Sequence, residues 1–382
     1  MKKFTSRLII VIAVLVATLY LSGTEYVLKA VQTIYLQGRT TASIDDYTFF
    51  DNKVVTIGNS KAWPLHKNYN KVSATDRLSK LHKTQGTVAF LIIKNDSILF
   101  EKYYDGYNEN SKSNSFSMAK SYVSGLLGKA IMEGHIKSLD QPVGDFFPQY
   151  NSGLSSEVTV GDLASMASGS SWKESYYSPF TITARAYFGK ELEKTILGLT
   201  TVSSPGESFK YASGDTQLLA MVIEKATGKK MYDYLSESFW IPLESENEAL
   251  WQIDSEENDM VKAYCCIATN AKDFARFGRL YKDNGKWNGK QLLDSAFVAK
   301  SITPRFAASP EYGYGWWLKD IGNKSFFMMR GHLGQYVIVE PTDNVIIVRL
   351  GHSKGPGDAI ATFTPDIITY IKEAYKMLGD DL

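Results

Sequence analysis

The chain has 382 residues, 44% hydrophobic and 13% aromatic, which is enough to bury a large core in one large domain or two interleaved ones. Its 42 basic and 41 acidic residues leave a formal charge of +1, so no global field points to nucleic acid as a partner. The two cysteines, Cys265 and Cys266, are adjacent. Neighbouring cysteines rarely bridge without strain, so no disulfide framework is expected, and no Cys/His spacing suggests a structural zinc site.

Lys2, Lys3 and Arg7 precede an apolar run at residues 8–21. A basic start followed by a hydrophobic segment is the layout of a secretory signal. The run is short for a membrane span, which needs roughly 17–20 residues, and small residues around Ser22 and Gly23 could stretch it to that limit. Tyr20 and Leu21 stand where a cleavage site needs small side chains. Residues 1–23 therefore read as an uncleaved signal anchor, basic end inside and body outside, with a cleaved signal peptide as the alternative. Val27, Val31, Ile34 and Tyr35 recur at helical spacing and stop near Gly38, predicting a juxtamembrane helix at residues 24–39. Residues 40–70 are polar and aromatic without a period. They read as an extension laid over the body, carrying too many aromatics to be disordered. Residues 24–74 thus precede a main domain at 75–382.

Residues 88–93 and 97–104 predict two strands joined by a turn at Lys94-Asn95-Asp96. A polar loop at 108–114 leads to a buried helix, marked by Val123, Leu126, Leu127, Ala130 and Ile131 and ended by Gly134. From there to about residue 270 the chain is helical and loop-rich. A helix at 159–166 is capped by Thr159, residues 182–199 predict a surface helix, and 214–224 and 230–240 are amphipathic. Helices follow at 271–283 and 293–301. Four strands are predicted at 313–318, 325–330, 335–340 and 345–350, then a closing helix at 365–378. Strands near both termini with helices between them imply an α+β fold. One antiparallel sheet is built from both ends of the chain and flanked by helices, with a mostly helical lobe inserted at about 134–270.

The chemistry is concentrated at Ser117-Met118-Ala119-Lys120. Residues three apart share one helical face, and the serine stands at the helix start, where unpaired N–H groups favour developing negative charge. A serine hydroxyl becomes a nucleophile when a base takes its proton, and a lysine of lowered pKa can be that base. A second copy, Ser170-Ser171-Trp172-Lys173, sits in turn-like sequence with no apolar helical run after it.

Three motifs in order, Ser117-Met118-Ala119-Lys120, Tyr211-Ala212-Ser213 and His332-Leu333-Gly334, together with connecting text such as Leu139-Asp140-Gln141-Pro142-Val143 and Pro205-Gly206, resemble the serine β-lactamase and penicillin-binding protein superfamily. The likeness covers about residues 75–380. It is nearest the class C-related branch, which holds esterases, D-amino-peptide hydrolases and 6-aminohexanoate-dimer hydrolases. The resemblance implies a β-lactamase/transpeptidase-like fold, Ser117 as the acylated nucleophile, and Lys120 as base, alone or shared with Tyr211. Lysine and tyrosine both titrate near 10 unperturbed; held together, the ammonium is expected to favour the phenolate while burial disfavours charge on the lysine, lowering both pKa values. It further implies an oxyanion hole from the backbone N–H groups of Ser117 and Gln335, with Gly334 allowing close approach to substrate. Ser213 and His332 become substrate-binding residues, and Tyr176, with Trp172 and Glu174, borders the cleft.

Departures bear on specificity. Many relatives carry asparagine where Ser213 stands, lysine where His332 stands and threonine where Leu333 stands. Serine cannot offer both an amide donor and an acceptor, and histidine is mostly neutral at pH 7. The expected function is hydrolysis of a small-molecule or peptide amide or ester in the bacterial envelope. The N-terminal segment contacts the inner membrane, and no metal, cofactor or nucleic acid is involved. The alternatives are a D-alanyl-D-alanine carboxypeptidase or weak β-lactamase, and a membrane sensor that is acylated without turnover.

Overall fold

The structure is a computed structural model that describes residues 2–176, 178–357 and 363–382. Its first element, α1 (Lys2–Leu21), holds an apolar window at Phe4–Leu21 of which none is buried in the body. Residues 22–25 lead to α2 (Tyr26–Thr33), which buries Tyr26, Val27 and Ala30. A single 3-10 turn follows and ends at Gly38, whose φ of 69° is left-handed, so the predicted helix is real but shorter. The extension then forms a strand, β1 (Asn52–Val55), before α3 (Asp76–Thr84) enters the main body.

The main sheet contains the predicted hairpin β2 (Thr87–Lys94) and β3 (Ser97–Tyr103). The chain then makes a short strand, β4 (Ser113–Asn114), and α4 (Ala119–Met132). The helical lobe comprises α5 (Val160–Ala164), α6 (Ile182–Phe188), α7 (Leu192–Leu197), α8 (Ser213–Thr227) and α9 (Met231–Leu235). After it come β5 (Ala249–Gln252), β6 (Ile267–Thr269), α10 (Ala271–Lys282), the small hairpin β7 (Lys286–Trp287) and β8 (Lys290–Gln291), and α11 (Ser295–Ser301). The C-terminal strands are β9 (Trp317–Ile321), β10 (Lys324–Gly331), β11 (Gln335–Glu340) and β12 (Val345–Gly351), closed by α12 (Pro365–Leu378).

The main sheet is antiparallel, in the order β3-β2-β12-β11-β10-β9. The N-terminal hairpin therefore docks on the last strand of the C-terminal meander, as expected for a sheet made from both ends. Side-chain alternation splits the core in two. Val337 and Val339 of β11 face α4 and α10, while Tyr336 and Ile338 face α12 and Leu78 of α3. Coverage on both faces explains why β2 is buried along its length except at Lys94, and why its sequence is a continuous apolar run. The nucleophile helix packs tightly: a Cβ at Gly128 would sit 2.4 Å from the Phe297 ring, and one at Gly125 2.7 Å from Phe277.

A second sheet, β1-β5-β6-β4, was not expected. Its strands are two to four residues long, too short for a period to register in sequence. It ties the N-terminal extension through β5 and β6 to β4, the strand that delivers Ser117.

Three further expectations are corrected. The single surface helix at 182–199 is two helices, broken at Gly189 and Lys190, and α6 buries Ala184, Ala186, Tyr187 and Phe188. Residues 313–316 are not strand. Gly315, with φ of 80°, turns them so that the carbonyls of Tyr314 and Gly315 accept hydrogen bonds from Ser124 and Ser121 of α4. Cys265 and Cys266, expected unbridged, are bonded to each other. Cys266 has φ of 80°, in the turn between Lys262 and β6 that brings the two side chains together.

Candidate active site

Ser117 lies in a 3-10 turn at Phe116–Met118 that runs directly into α4. Phe116 holds a left-handed φ of 45°, a sparsely populated state for a residue with a β-carbon. Its surroundings enforce it. The Phe116 N–H donates to Asn114 Oδ1 at 2.9 Å, and Ser115 exchanges hydrogen bonds with Ile267 of β6. The turn leaves Ser117 half-buried at the cleft floor, while Lys120, one turn on, is buried at 3% exposure.

Lys120 Nζ donates to Ser117 Oγ at 3.0 Å and to the Tyr264 carbonyl at 2.8 Å. It lies 5.0 Å from the centre of the Tyr211 ring. Burial lowers the Lys120 pKa to about 8, against the opposing charge of Glu174. The Tyr211 hydroxyl is hydrogen-bonded to Ser117, but burial and the Glu174 charge raise its pKa above the ordinary phenol value. The expected depression thus holds for the lysine alone, and there burial produces it. The tyrosine stays a phenol because burial, and after it the Glu174 carboxylate, disfavour the phenolate. Its ring centre lies 5.6 Å from that of Trp317, tilted by 30°, and Trp317 in turn meets the Arg330 guanidinium at 4.3 Å.

Glu174 is the hub of the facing loop. It accepts from Trp172 Nε1, Tyr176 Oη, and both the N–H and hydroxyl of Ser213, at 2.7 to 2.9 Å. A loop carboxylate therefore caps α8, whose own N-cap, Ala212, has no side chain to do so. Ser213 lies on the cleft wall with its hydroxyl already given to Glu174. Tyr176 comes within 5.2 Å of the His332 ring.

The third motif forms a tight turn between β10 and β11, with Leu333 at φ of 62° and Gly334 at 83°. His332 faces Ser117 across the cleft, its ring edge-on to Phe116 at 5.5 Å and its Nε2 3.1 Å from Thr41 Oγ1. Burial lowers its pKa to about 4, so it is neutral at physiological pH. Its Nδ1 is shielded and has no hydrogen-bond partner among the described residues. Gly334 does not approach the cleft; a Cβ there would meet Arg349 Nη1 at 2.4 Å, behind the turn. The close approach belongs to Gly331, where a Cβ would lie 2.1 Å from the Ser115 carbonyl. Gln335 is fully buried, its side chain tied to the backbone of His332 and Gly351. Gly331 and His332 border the cleft beside Ser117, and Gln335 does not.

The second Ser-x-x-Lys is not assembled. Ser170 lies in a loop, Lys173 is exposed, and no hydrogen bond joins them among the described residues. No cluster of three or more metal-ligating side chains occurs among the described residues. Several bordering groups were not legible in sequence. The Tyr264 carbonyl, Thr41, Arg330 and Lys354 come from separate segments and meet only in the fold.

The cleft divides at Ser117. One side, about 800 Å³ and partly open to solvent, is largely apolar and is floored by Ser117, Ser213 and Tyr264. The other, about 410 Å³, is bordered by Tyr211, Arg330, Tyr336 and Lys354.

A family model described as Beta-lactamase matches residues 76–366. The chain belongs to the β-lactamase family. This β-lactamase-family chain is 25% identical over 294 residues to a 6-aminohexanoate-dimer hydrolase of Paenarthrobacter ureafaciens, covering 71% of the chain and 74% of the relative. A Bacillus anthracis structure provisionally classed as a 6-aminohexanoate-dimer hydrolase superposes with a TM-score of 0.75 at 22% identity, covering 88% of this chain and 92% of that one. A family VIII carboxylesterase superposes at 0.63 and 15% identity, covering 85% and 100%. A penicillin-binding protein homologue from Pyrococcus abyssi superposes at 0.60 and 19%, covering 80% and 76%. The β-lactamase-family chain is a serine hydrolase of this fold.

Proposed function

We propose that the protein is an envelope serine hydrolase that cleaves an amide or ester through an acyl-enzyme on Ser117. The observation that carries this is the 3.0 Å contact between Ser117 Oγ and a buried lysine whose pKa lies near 8. A 6-aminohexanoate-dimer hydrolase and a carboxylesterase among its relatives support an amide or ester as the bond broken. Neutral Lys120 takes the Ser117 proton as Oγ attacks the carbonyl carbon. The resulting oxyanion is met by the backbone N–H groups of Ser117 and His332, the latter chosen over Gln335 because it borders the cleft. The Tyr211 phenol gives its proton to the leaving nitrogen or oxygen and is reprotonated from the Lys120 ammonium, so the carbonyl–leaving-group bond breaks without expelling an anion. Water then attacks the acyl-enzyme and passes its proton back along the same pair. Substrate carboxylates gain no charge from His332, which stays neutral; Arg330 and Lys354 are the cations on the leaving-group side.

The test is stoichiometric labelling with a small fluorophosphonate, mapped by peptide mass spectrometry. The label is expected on Ser117 and absent from Ser117→Ala; equal labelling of that variant would remove Ser117 from the mechanism. Turnover is then compared on linear amides, p-nitrophenyl esters, D-Ala-D-Ala peptides and a chromogenic cephalosporin. Cleavage of only the last two would make the protein a peptidase or β-lactamase, and labelling without any turnover a sensor.

For location, α1 supports a signal anchor by its length, apolarity and basic start, with none of its window buried. The bonded Cys265–Cys266 pair fits an oxidising compartment. The full chain is expected to stay in the membrane pellet after an alkaline carbonate wash, and its release would count against an anchor.

A further inference from the structure

The larger half of the cleft has a wall that the β-lactamase domain does not provide. The family match begins at residue 76, yet Ala30, Ile34 and Ala42 of the N-terminal extension line this space, opposite Ala184, Tyr187 and Phe188 of α6. Ser117, Glu174, Ser213 and His332 stand at its catalytic end, and the hydroxyls of Thr40, Thr41, Ser175, Ser178 and Thr183 are spread along the remaining lining. Most of the exposed lining is nonetheless aliphatic or aromatic, and apolar residues continue onto the rim. Leu36 is 73% exposed and Phe180, next to the lining residue Pro179, is 67% exposed.

The two halves are distinguished by Tyr211. A proton donor to the leaving group must lie on the leaving-group side, and Tyr211 borders only the smaller, cationic half. The apolar half is then the acyl side. The one charged side chain in its lining among the described residues, Glu174, is already held by Trp172, Tyr176 and Ser213, so a charged acyl group finds no free partner there. At the catalytic end Ser213 is bonded to Glu174, Ser117 to Lys120 and His332 Nε2 to Thr41, so these groups are already engaged. The wall also follows directly on the apolar helix α1, with only residues 22–25 between α1 and α2.

We infer that the acyl pocket takes an unbranched aliphatic chain of about six to ten carbons, so that the substrate class is an amphiphilic fatty-acyl ester or amide, and that residues 30–42 of the N-terminal extension determine this preference. The inference rests on the acyl-enzyme reading above. Each buried methylene adds about fourfold to kcat/KM, the equivalent of ~0.8 kcal/mol.

The experiment uses the full chain in detergent with p-nitrophenyl acetate, butyrate, hexanoate and octanoate, each below its aggregation concentration. The expected result is a rise of at least a hundredfold in kcat/KM from acetate to octanoate. Ala42→Phe, which projects a ring into the acyl half, is expected to cut the octanoate-to-acetate ratio at least tenfold, with fluorophosphonate labelling confirming that the variant is folded. A flat or falling series on protein whose Ser117 labels stoichiometrically would overturn the acyl pocket and leave the hydrolase standing. Failure of Ser117 to label would overturn the hydrolase itself. Presenting the octanoyl ester in phosphatidylglycerol vesicles distinguishes the source of the chain. Faster turnover than in free solution assigns it to the bilayer and slower turnover to a soluble amphiphile, and both require the rise with chain length.

Discussion

Lys120→Met is expected to lower kcat/KM by about 10²–10⁴-fold, the usual contribution of a positioned general base. Methionine keeps the length and apolar contacts of the buried stem and removes only the amine that contacts Ser117. The parent enzyme should show an acid limb near pH 8, rising with pH as Lys120 loses its proton, because burial holds its pKa at about 8. His332 adds no limb in that range, since it titrates near 4. Glu174→Gln is expected to move the limb to lower pH, because the Glu174 charge raises the Lys120 pKa. A limb that stays in place would take Glu174 out of the electrostatics of the site. The stability change has its own sign. The folded pKa lies below the ordinary 10.5, so the folded parent carries a buried charge at pH 7 and loses that cost as pH rises from about 8 towards 10.5. Over that window the parent should gain about 3 kcal/mol relative to Lys120→Met. At pH 7 the variant escapes the buried charge but leaves the Tyr264 carbonyl without its donor, which returns about 1–3 kcal/mol. Denaturant midpoints measured at pH 7 and pH 10 read the difference, and a gap that does not change with pH would contradict a buried, depressed lysine.

Tyr211→Phe is expected to separate amides from activated esters. The variant keeps the ring that packs against Trp317 and loses only the hydroxyl bonded to Ser117, so it should fold normally. An amine cannot leave without a proton, whereas p-nitrophenolate can. Hydrolysis of a linear amide should therefore fall by about 10²–10⁴-fold and that of a p-nitrophenyl ester by about tenfold or less. Equal losses on both would make Tyr211 part of nucleophile activation rather than the donor to the leaving group. The raised pKa of Tyr211 also means that no second limb from its phenolate should appear near neutrality.

Both experiments probe a lysine–tyrosine pair whose two members differ in how they could be recognised. Ser117 and Lys120 are one turn apart, so helix geometry alone brings them together. Tyr211 comes from the far side of the lobe, and only the order of motifs singled it out among 23 tyrosines. The division of labour between the two was not legible, because it depends on burial and, after it, on Glu174. That carboxylate lies in a loop, and its effect on both pKa values follows from distances across the cleft.

By itself, the sequence determined the antiparallel main sheet, the buried nucleophile helix and the apolar N-terminal helix. Each is a local periodicity, in which neighbouring residues alternate across a strand or recur on one helical face. The tertiary structure alone decided the second sheet, the turn that carries His332 past Gly331, and the apolar wall that residues 30–42 lend to the acyl side. These depend on two- to four-residue strands and on contacts between segments hundreds of positions apart, such as Thr41 with His332. No local pattern encodes such contacts. They form because the extension buries Ala30, Ile34 and Val55 against the body rather than within itself.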